Sequence, residues 1–134
     1  MFGGIHLFSM EQITRLSKQE FVTRFRQRTK QLALQVIRFS QQLPRTEEAT
    51  IMKRQLLRSA TSVAANYRAA CRARSAAEFH AKLSICVEEA DETLFWLELL
   101  TESETVLSST TAPLLQEASE ILFVLSKARK NTTK

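Results

Sequence analysis

From Ile5 to Lys134 the chain contains no glycine and two prolines, Pro44 and Pro113. Glycine and proline are the residues that most readily bend or break a regular element, so a chain this short of them is confined to long helices and few turns. A hydrophobic content of 44% beside 25% charged residues supplies a core and a solvated surface rather than a disordered polymer. At 134 residues that core needs no disulfide or metal staple, and a single domain is expected.

Helix starts are marked by side chains that can accept from unpaired backbone N–H groups. Ser17 stands three residues before Glu20 and Ser75 three before Glu78, each a capping-box spacing followed at once by Phe21 or Phe79. Pro44 stops a first helix, and Thr46 with Glu47 and Glu48 reads as the cap and acidic first turn of a second. In "LSSTTAP", Thr110 or Thr111 is the cap and Pro113 falls in the first turn of a fourth helix. The expected helices cover 18–43, 47–73, 76–106 and 112–129. They form one bundle domain, 18–130, between an irregular or frayed segment, 1–17, and a tail, 131–134.

Apolar spacing agrees with this division. At 100° per residue, Phe21, Phe25, Leu32, Val36, Phe39 and Leu43 fall in a stripe about 60° wide on the first helix. Phe79, Leu83, Cys86, Ala90, Leu94 and Leu97 do so on the third, and Leu114, Ala118, Ile121, Leu122 and Leu125 on the fourth. Leu56, Ala60, Val63 and Tyr67 line one side of the second. Short connections between long helices favour antiparallel neighbours, so the expected fold is all-α, an up-down-up-down four-helix bundle.

The formal charge of +5 conceals an asymmetry: residues 1–74 hold 14 Lys+Arg against 4 Asp+Glu, and residues 75–134 hold 5 against 10. The halves attract each other, and the basic half offers a surface to anions. No apolar run approaches the roughly 18 to 20 residues of a membrane span. The opening "MFGGIHLFSMEQ" lacks a basic n-region and a small-residue cleavage site, so a cytoplasmic protein without a membrane partner is expected.

Catalytic and metal chemistry find little support. Neither His6 nor His80 has a glutamate three residues before it, as inward-facing di-iron sites on bundles require. Glu88, Glu89, Asp91 and Glu92 form a carboxylate run without imidazoles, the composition of an ion-paired face. Cys71 and Cys86 would lie on the order of 13 Å apart along the axis at ~1.5 Å per residue, too far for a disulfide. Both read as small core residues in a reducing compartment. No nucleophile, base and pocket assemble, and no metal or other cofactor is expected.

Two basic stripes are more informative. Arg24, Arg28, Gln31, Gln35, Arg38 and Gln42 lie within about 80° of one another on the first helix. Arg54, Arg58, Thr61, Ala65, Arg68 and Arg72 do likewise on the second, opposite its apolar side. Arginine among amides, hydroxyls and small side chains suits phosphate contact, which makes Arg24, Arg28, Arg38, Arg54, Arg68 and Arg72 the candidate nucleic-acid ligands. Folding about residue 74 brings Arg58 level with Ala90, within reach of Glu89 or Glu92. Ile37 lies off the core stripe, and Ile85 and Trp96 share a line with Glu89 and Glu92; these three are the candidate oligomer interface.

The segment "QLLRSATSVAANYRAACRARSAAEFHAKLSICVEEADETLFWLELL", Gln55 to Leu100, closely resembles the four-helix-bundle family of bacterial proteins encoded by intervening sequences within large-subunit ribosomal RNA genes. Ser59, Val63, Asn66, Tyr67, Ala90, Asp91, Glu92 and "WLELL" carry the likeness, which extends more weakly over most of 18–129. The resemblance implies a left-handed bundle assembled into a homopentameric ring, with no established enzymatic activity. It also implies similarity in fold to the accessory protein of diversity-generating retroelements, a basic pentamer that binds nucleic acid and works with a reverse transcriptase. Family members often carry Glu after "NYR" and Tyr in "YWLELL", where this chain has Ala69 and Phe95; the first change leaves the local surface more basic.

The expected function is therefore that of a non-enzymatic, oligomeric protein that binds RNA or DNA largely without sequence specificity, as an accessory factor. The alternative is a protein-interaction scaffold that docks a partner such as a reverse transcriptase, with nucleic acid held mainly by that partner.

Overall fold

A computed structural model describes residues 10–132, with side chains from Ser17 onward. Four helices account for nearly all of it: α1 (Met10–Ser40), α2 (Glu47–Cys71), α3 (Ala76–Glu102) and α4 (Ser108–Lys130). No strand occurs among the described residues.

Cross-helix contacts fix the topology. Phe25 of α1 meets Tyr67 of α2 edge-on, with ring centroids 4.9 Å apart. Between α2 and α3, Arg58 reaches Glu89 and Cys86 Sγ lies 3.8 Å from the Val63 carbonyl oxygen. Between α3 and α4, Thr101 meets Thr111 and His80 meets Thr132. Within the α2–α3 and α3–α4 pairs a higher number on one helix goes with a lower one on the next, so these neighbours run antiparallel; with α1 joined to α2 by a six-residue connection, the up-down-up-down four-helix bundle expected from the short connections is what forms.

The caps of α2 and α3 are those the sequence marks. Thr46 Oγ1 accepts from Ala49 N at 3.2 Å, and Ser75 Oγ accepts from Glu78 N at 3.0 Å. Two other expected starts are not observed. α1 already runs from Met10, so Ser17 is an interior residue and not a cap; "MEQITRL" contains no breaker, and a helix once nucleated propagates through it. Part of the expected irregular segment 1–17 is therefore helical, and residues 1–9 lie outside the described residues. α4 begins at Ser108, with Leu107 in the cap position and no side-chain cap bond. Thr111 is instead fully buried and its hydroxyl meets that of Thr101 at 2.6 Å: the oxygen expected to cap a helix end serves a core contact. Pro113 then falls in the second turn, at an exposed position where the carbonyl left without its backbone partner is open to solvent.

Helix α3 also stops before the expected 106. Glu104 takes φ 59°, and Thr105 N donates back to the Leu100 carbonyl at 3.2 Å. This is a left-handed helix end made without glycine, and so without its usual signal.

The core follows the apolar stripes. Leu32, Val36, Leu56, Val63, Leu83, Leu97, Leu100, Ile121 and Leu125 are fully buried. Phe21 is the exception, 54% exposed while Phe25 one turn later is buried. Phe25 already meets Tyr67, one turn from the end of α2, so Phe21 lies at the rim and stacks on Phe25 with centroids 5.9 Å apart.

Candidate nucleic-acid interface

The outward side of α2 results directly from its period. With Leu56, Ala60, Val63 and Tyr67 turned inward, Arg54, Arg58, Thr61, Ala65, Arg68 and Arg72 are all exposed along one face. Thr61 Oγ1 bonds back to the Leu57 carbonyl at 2.7 Å, which keeps its hydroxyl low on the helix. Arg54, Arg68 and Arg72 have no carboxylate within 4.0 Å among the described residues.

Arg58 behaves otherwise, as its register predicts. Its Nη1 donates to Glu89 at 3.1 Å and its Nη2 donates to Glu92. The bond to Glu92, with further help from Glu89, holds the guanidinium pKa above its ordinary value. Glu92 also accepts from the Trp96 indole N–H at 3.0 Å, and together Trp96 and Arg58 keep its carboxyl below the usual carboxylate range. Trp96 is consequently half-buried, packed against the core and edge-on to Phe95, rather than lying on an outer face. Ile37 is half-buried and Ile85 is exposed. The more exposed apolar groups on α3 and α4, Phe95 at 50% and Phe123 at 67%, are not among the expected interface residues. Neither has a charged neighbour in sequence, and only their angular distance from Leu97 and Ile121 marks them as outward.

The α1 stripe is a seam more than a free face. Arg28 donates to both oxygens of Glu117 and to Glu120, each at 2.7 Å, which ties α1 to α4. The bonds from Glu117 and then Glu120 raise the Arg28 pKa despite partial burial. Arg28 is thus engaged as a structural clamp rather than left without an acidic partner; Glu117 and Glu120 are 89 and 92 residues away, beyond what helical periodicity can reveal. Farther along, Gln35, Arg38 and Gln42 border a groove of about 620 Å³ with Thr110, Pro113, Leu114 and Glu117. Arg38 is exposed there, and Arg24 pairs with Glu20 at 3.0 Å in full solvent, where such a pair holds weakly.

Other reactive side chains are quiet. Cys86 is buried, and burial pushes its thiol up to about 12; Cys71 is half-buried, and neither forms a disulfide. Burial likewise raises the Tyr67 phenol. His80 Nδ1 is engaged with Thr132 Oγ1. Among the described residues, no group of three or more His, Cys, Asp or Glu side chains is arranged to hold a metal ion, and no helix is long and apolar enough to cross a membrane.

Comparison with curated proteins finds no match. Among solved structures, the chain is similar to a protein of unknown function from the S23 ribosomal protein family of Bacteroides thetaiotaomicron. Identity is 31%, the match covers 82% of this chain and 98% of that one, and the TM-score is 0.76. The sequence model of the family described as 23S rRNA-intervening sequence protein matches residues 23–127, the span of the bundle from the second half of α1 to the last turns of α4. The chain belongs to the 23S rRNA-intervening sequence protein family.

Proposed function

We propose that the protein binds RNA or DNA through phosphates, largely without sequence specificity, as a non-enzymatic accessory factor of the cytoplasm. The observation that carries this reading is the exposed arginine row Arg54, Arg68 and Arg72 on α2, spaced by small side chains that let a strand approach. Arg38 beside the α1–α4 groove and Arg24 extend the same chemistry. Assembly into a left-handed, homopentameric ring, as the family resemblance implies, would repeat a modest patch five times and raise affinity by multivalency. The test is anisotropy of a labelled 20-nucleotide RNA, its DNA counterpart and the duplexes at 50 and 200 mM salt, with light scattering to weigh the assembly. Affinity should fall steeply with salt, and Arg68→Glu with Arg72→Glu should weaken all sequences alike. Binding indifferent to salt and to these substitutions overturns the proposal.

A second reading draws on Ile85, Phe95 and Leu99, large apolar side chains left exposed on α3. On this reading the bundle is a scaffold that docks a partner such as a reverse transcriptase, or packs on its own copies beside Ile37 and Trp96. Partner co-purification that survives nuclease treatment, together with weak direct binding of nucleic acid, is its signature.

A further inference from the structure

Charge in this protein is sorted by the ends of the bundle as well as by the halves of the chain. The contact between His80 and Thr132 brings the end of α4 beside the first turn of α3, immediately after the turn that closes α2. Arg68, Arg72 and Arg74 from the end of α2 and its turn therefore share one end with Lys127, Arg129 and Lys130 from the end of α4. The contact between Thr101 and Thr111 defines the opposite end, where Glu98, Glu102 and Glu104 of α3 and its turn join Glu47 and Glu48 at the start of α2.

Helix-dipole complementarity explains part of this sorting and fails for the rest. Cations in the last turns of α2 and α4 do face the negative ends of those helices. Helix α3, however, ends with no basic residue in its last turn and with Glu98 and Glu102 against its own negative end, which costs stability. Arg74 lies beyond α2 altogether. Arg68, Arg72, Arg74, Lys127, Arg129 and Lys130 have no carboxylate within 4.0 Å among the described residues, and all but the half-buried Arg129 are exposed. Lys127 Nζ lies 5.8 Å from the ring centroid of Phe123, a contact that leaves its charge at the surface.

We infer that this basic end, formed by the α2–α3 turn and the C-terminal turns of α4, is where the phosphodiester backbone of a nucleic acid seats. The inference rests on the nucleic-acid reading above and locates its centre. Neighbouring helices pack about 8 to 10 Å apart, so α2 and α4, on opposite corners of the bundle, present their cations roughly 12 to 14 Å apart. That separation corresponds to about two nucleotide steps, so phosphates next but one to each other along a single strand can meet the two sets of cations as it crosses the end. The acidic end repels the same polyanion, so the field of the whole bundle orients the approach.

The experiment compares four sets of substitutions in the full chain, read by anisotropy with a labelled 20-nucleotide single-stranded RNA and its DNA counterpart between 50 and 200 mM salt. Arg74→Gln with Lys127→Gln and Lys130→Gln should raise Kd at least about 10-fold at the lower salt and reduce the log–log salt slope by about 2, at roughly 0.7 for each phosphate no longer neutralised. Arg45→Gln with Lys53→Gln, at the acidic end, should change Kd less than about 2-fold. The charge-preserving set Arg74→Lys, Lys127→Arg and Lys130→Arg should bind as the wild type does. A loss in that set, or a larger loss from Arg38→Gln with Arg54→Gln than from the basic-end set, overturns the inference while leaving nucleic-acid binding intact. Wild-type protein that binds neither the RNA nor its DNA counterpart at 50 mM salt overturns the underlying reading instead. Binding to phosphatidylserine vesicles without binding to RNA or DNA assigns the end to a membrane surface and overturns both.

Discussion

Helices α2 and α3 are held together from core to rim, whereas α1 and α4 meet closely over only a few residues. Inside the α2–α3 seam, Thr93 Oγ1 meets Ser59 Oγ at 3.1 Å with both residues fully buried, and Ala60 and Ala90 let the backbones approach. At its rim Arg58 bridges to Glu89 and Glu92. The α1–α4 seam has the Arg28 clamp and, beyond it, an open groove. The difference follows from connectivity. A four-residue turn joins α2 to α3 and fixes their register, while α1 and α4 are the first and last helices and have no direct connection to set theirs. Local opening of the bundle should begin at that thinner seam.

The sharpest way to break this comparison is to add the same bulk to both seams. Ala90→Leu, at a site 1% exposed, should destabilise by about 2 to 3 kcal/mol, because a close-packed seam has no room for three more carbons. Gln35→Leu, exposed beside the groove, should stay within about 0.5 kcal/mol. Urea midpoints at constant m report both, and equal losses would mean that the seams are packed alike. A smaller effect isolates the buried hydroxyl pair. Thr93→Val removes the donor to Ser59 Oγ and to the Glu89 carbonyl and should cost about 1 kcal/mol, and adding Ser59→Ala should cost less than the two changes separately. Strict additivity would show that the hydroxyls do not act as a pair.

The same division separates what was legible in the sequence from what was not. The α2–α3 hairpin could be read residue by residue: the Thr46 and Ser75 caps, the inward Leu56, Ala60, Val63 and Tyr67, and the reach of Arg58 to Glu89 and Glu92 are all set by local geometry and one turn. Long-range closure left no comparable trace. Arg28 looks like any arginine of an exposed stripe until Glu117 and Glu120 are brought to it from the far end of the chain. Helix boundaries failed where a residue had two competing uses. Ser17 has the spacing of a cap but sits within a stretch that stays helical on both sides, and Thr111 resembles a cap but is bonded within the core. The sorting of charge between the ends of the bundle was hidden for a related reason, since antiparallel packing brings the acidic and basic halves of the sequence side by side and redistributes both.

The smallest effect separates the two electrostatic rims by pH. The Trp96 indole and the Arg58 guanidinium hold the Glu92 carboxyl below its ordinary value near 4.5 in the folded protein. A carboxylate depressed by folding contributes stability that is fully present above the unfolded value and lost as pH falls through the folded one. Arg58→Gln should therefore cost up to about 1 kcal/mol at pH 7, with solvent screening keeping it at the low end because Arg58 is 48% exposed. The gap to wild type should close as acid takes the solution below 4.5 and through the lower folded value. Trp96 is the single tryptophan, and its indole touches the titrating group, so its emission should change over the same acid range in the wild type. A gap that persists unchanged in acid would mean that Arg58 acts through the packing of its aliphatic stem. The α2–α3 rim would then be held by contact rather than charge, and the Arg28 clamp, with bonds to two carboxylates, would be the bundle's main electrostatic tie.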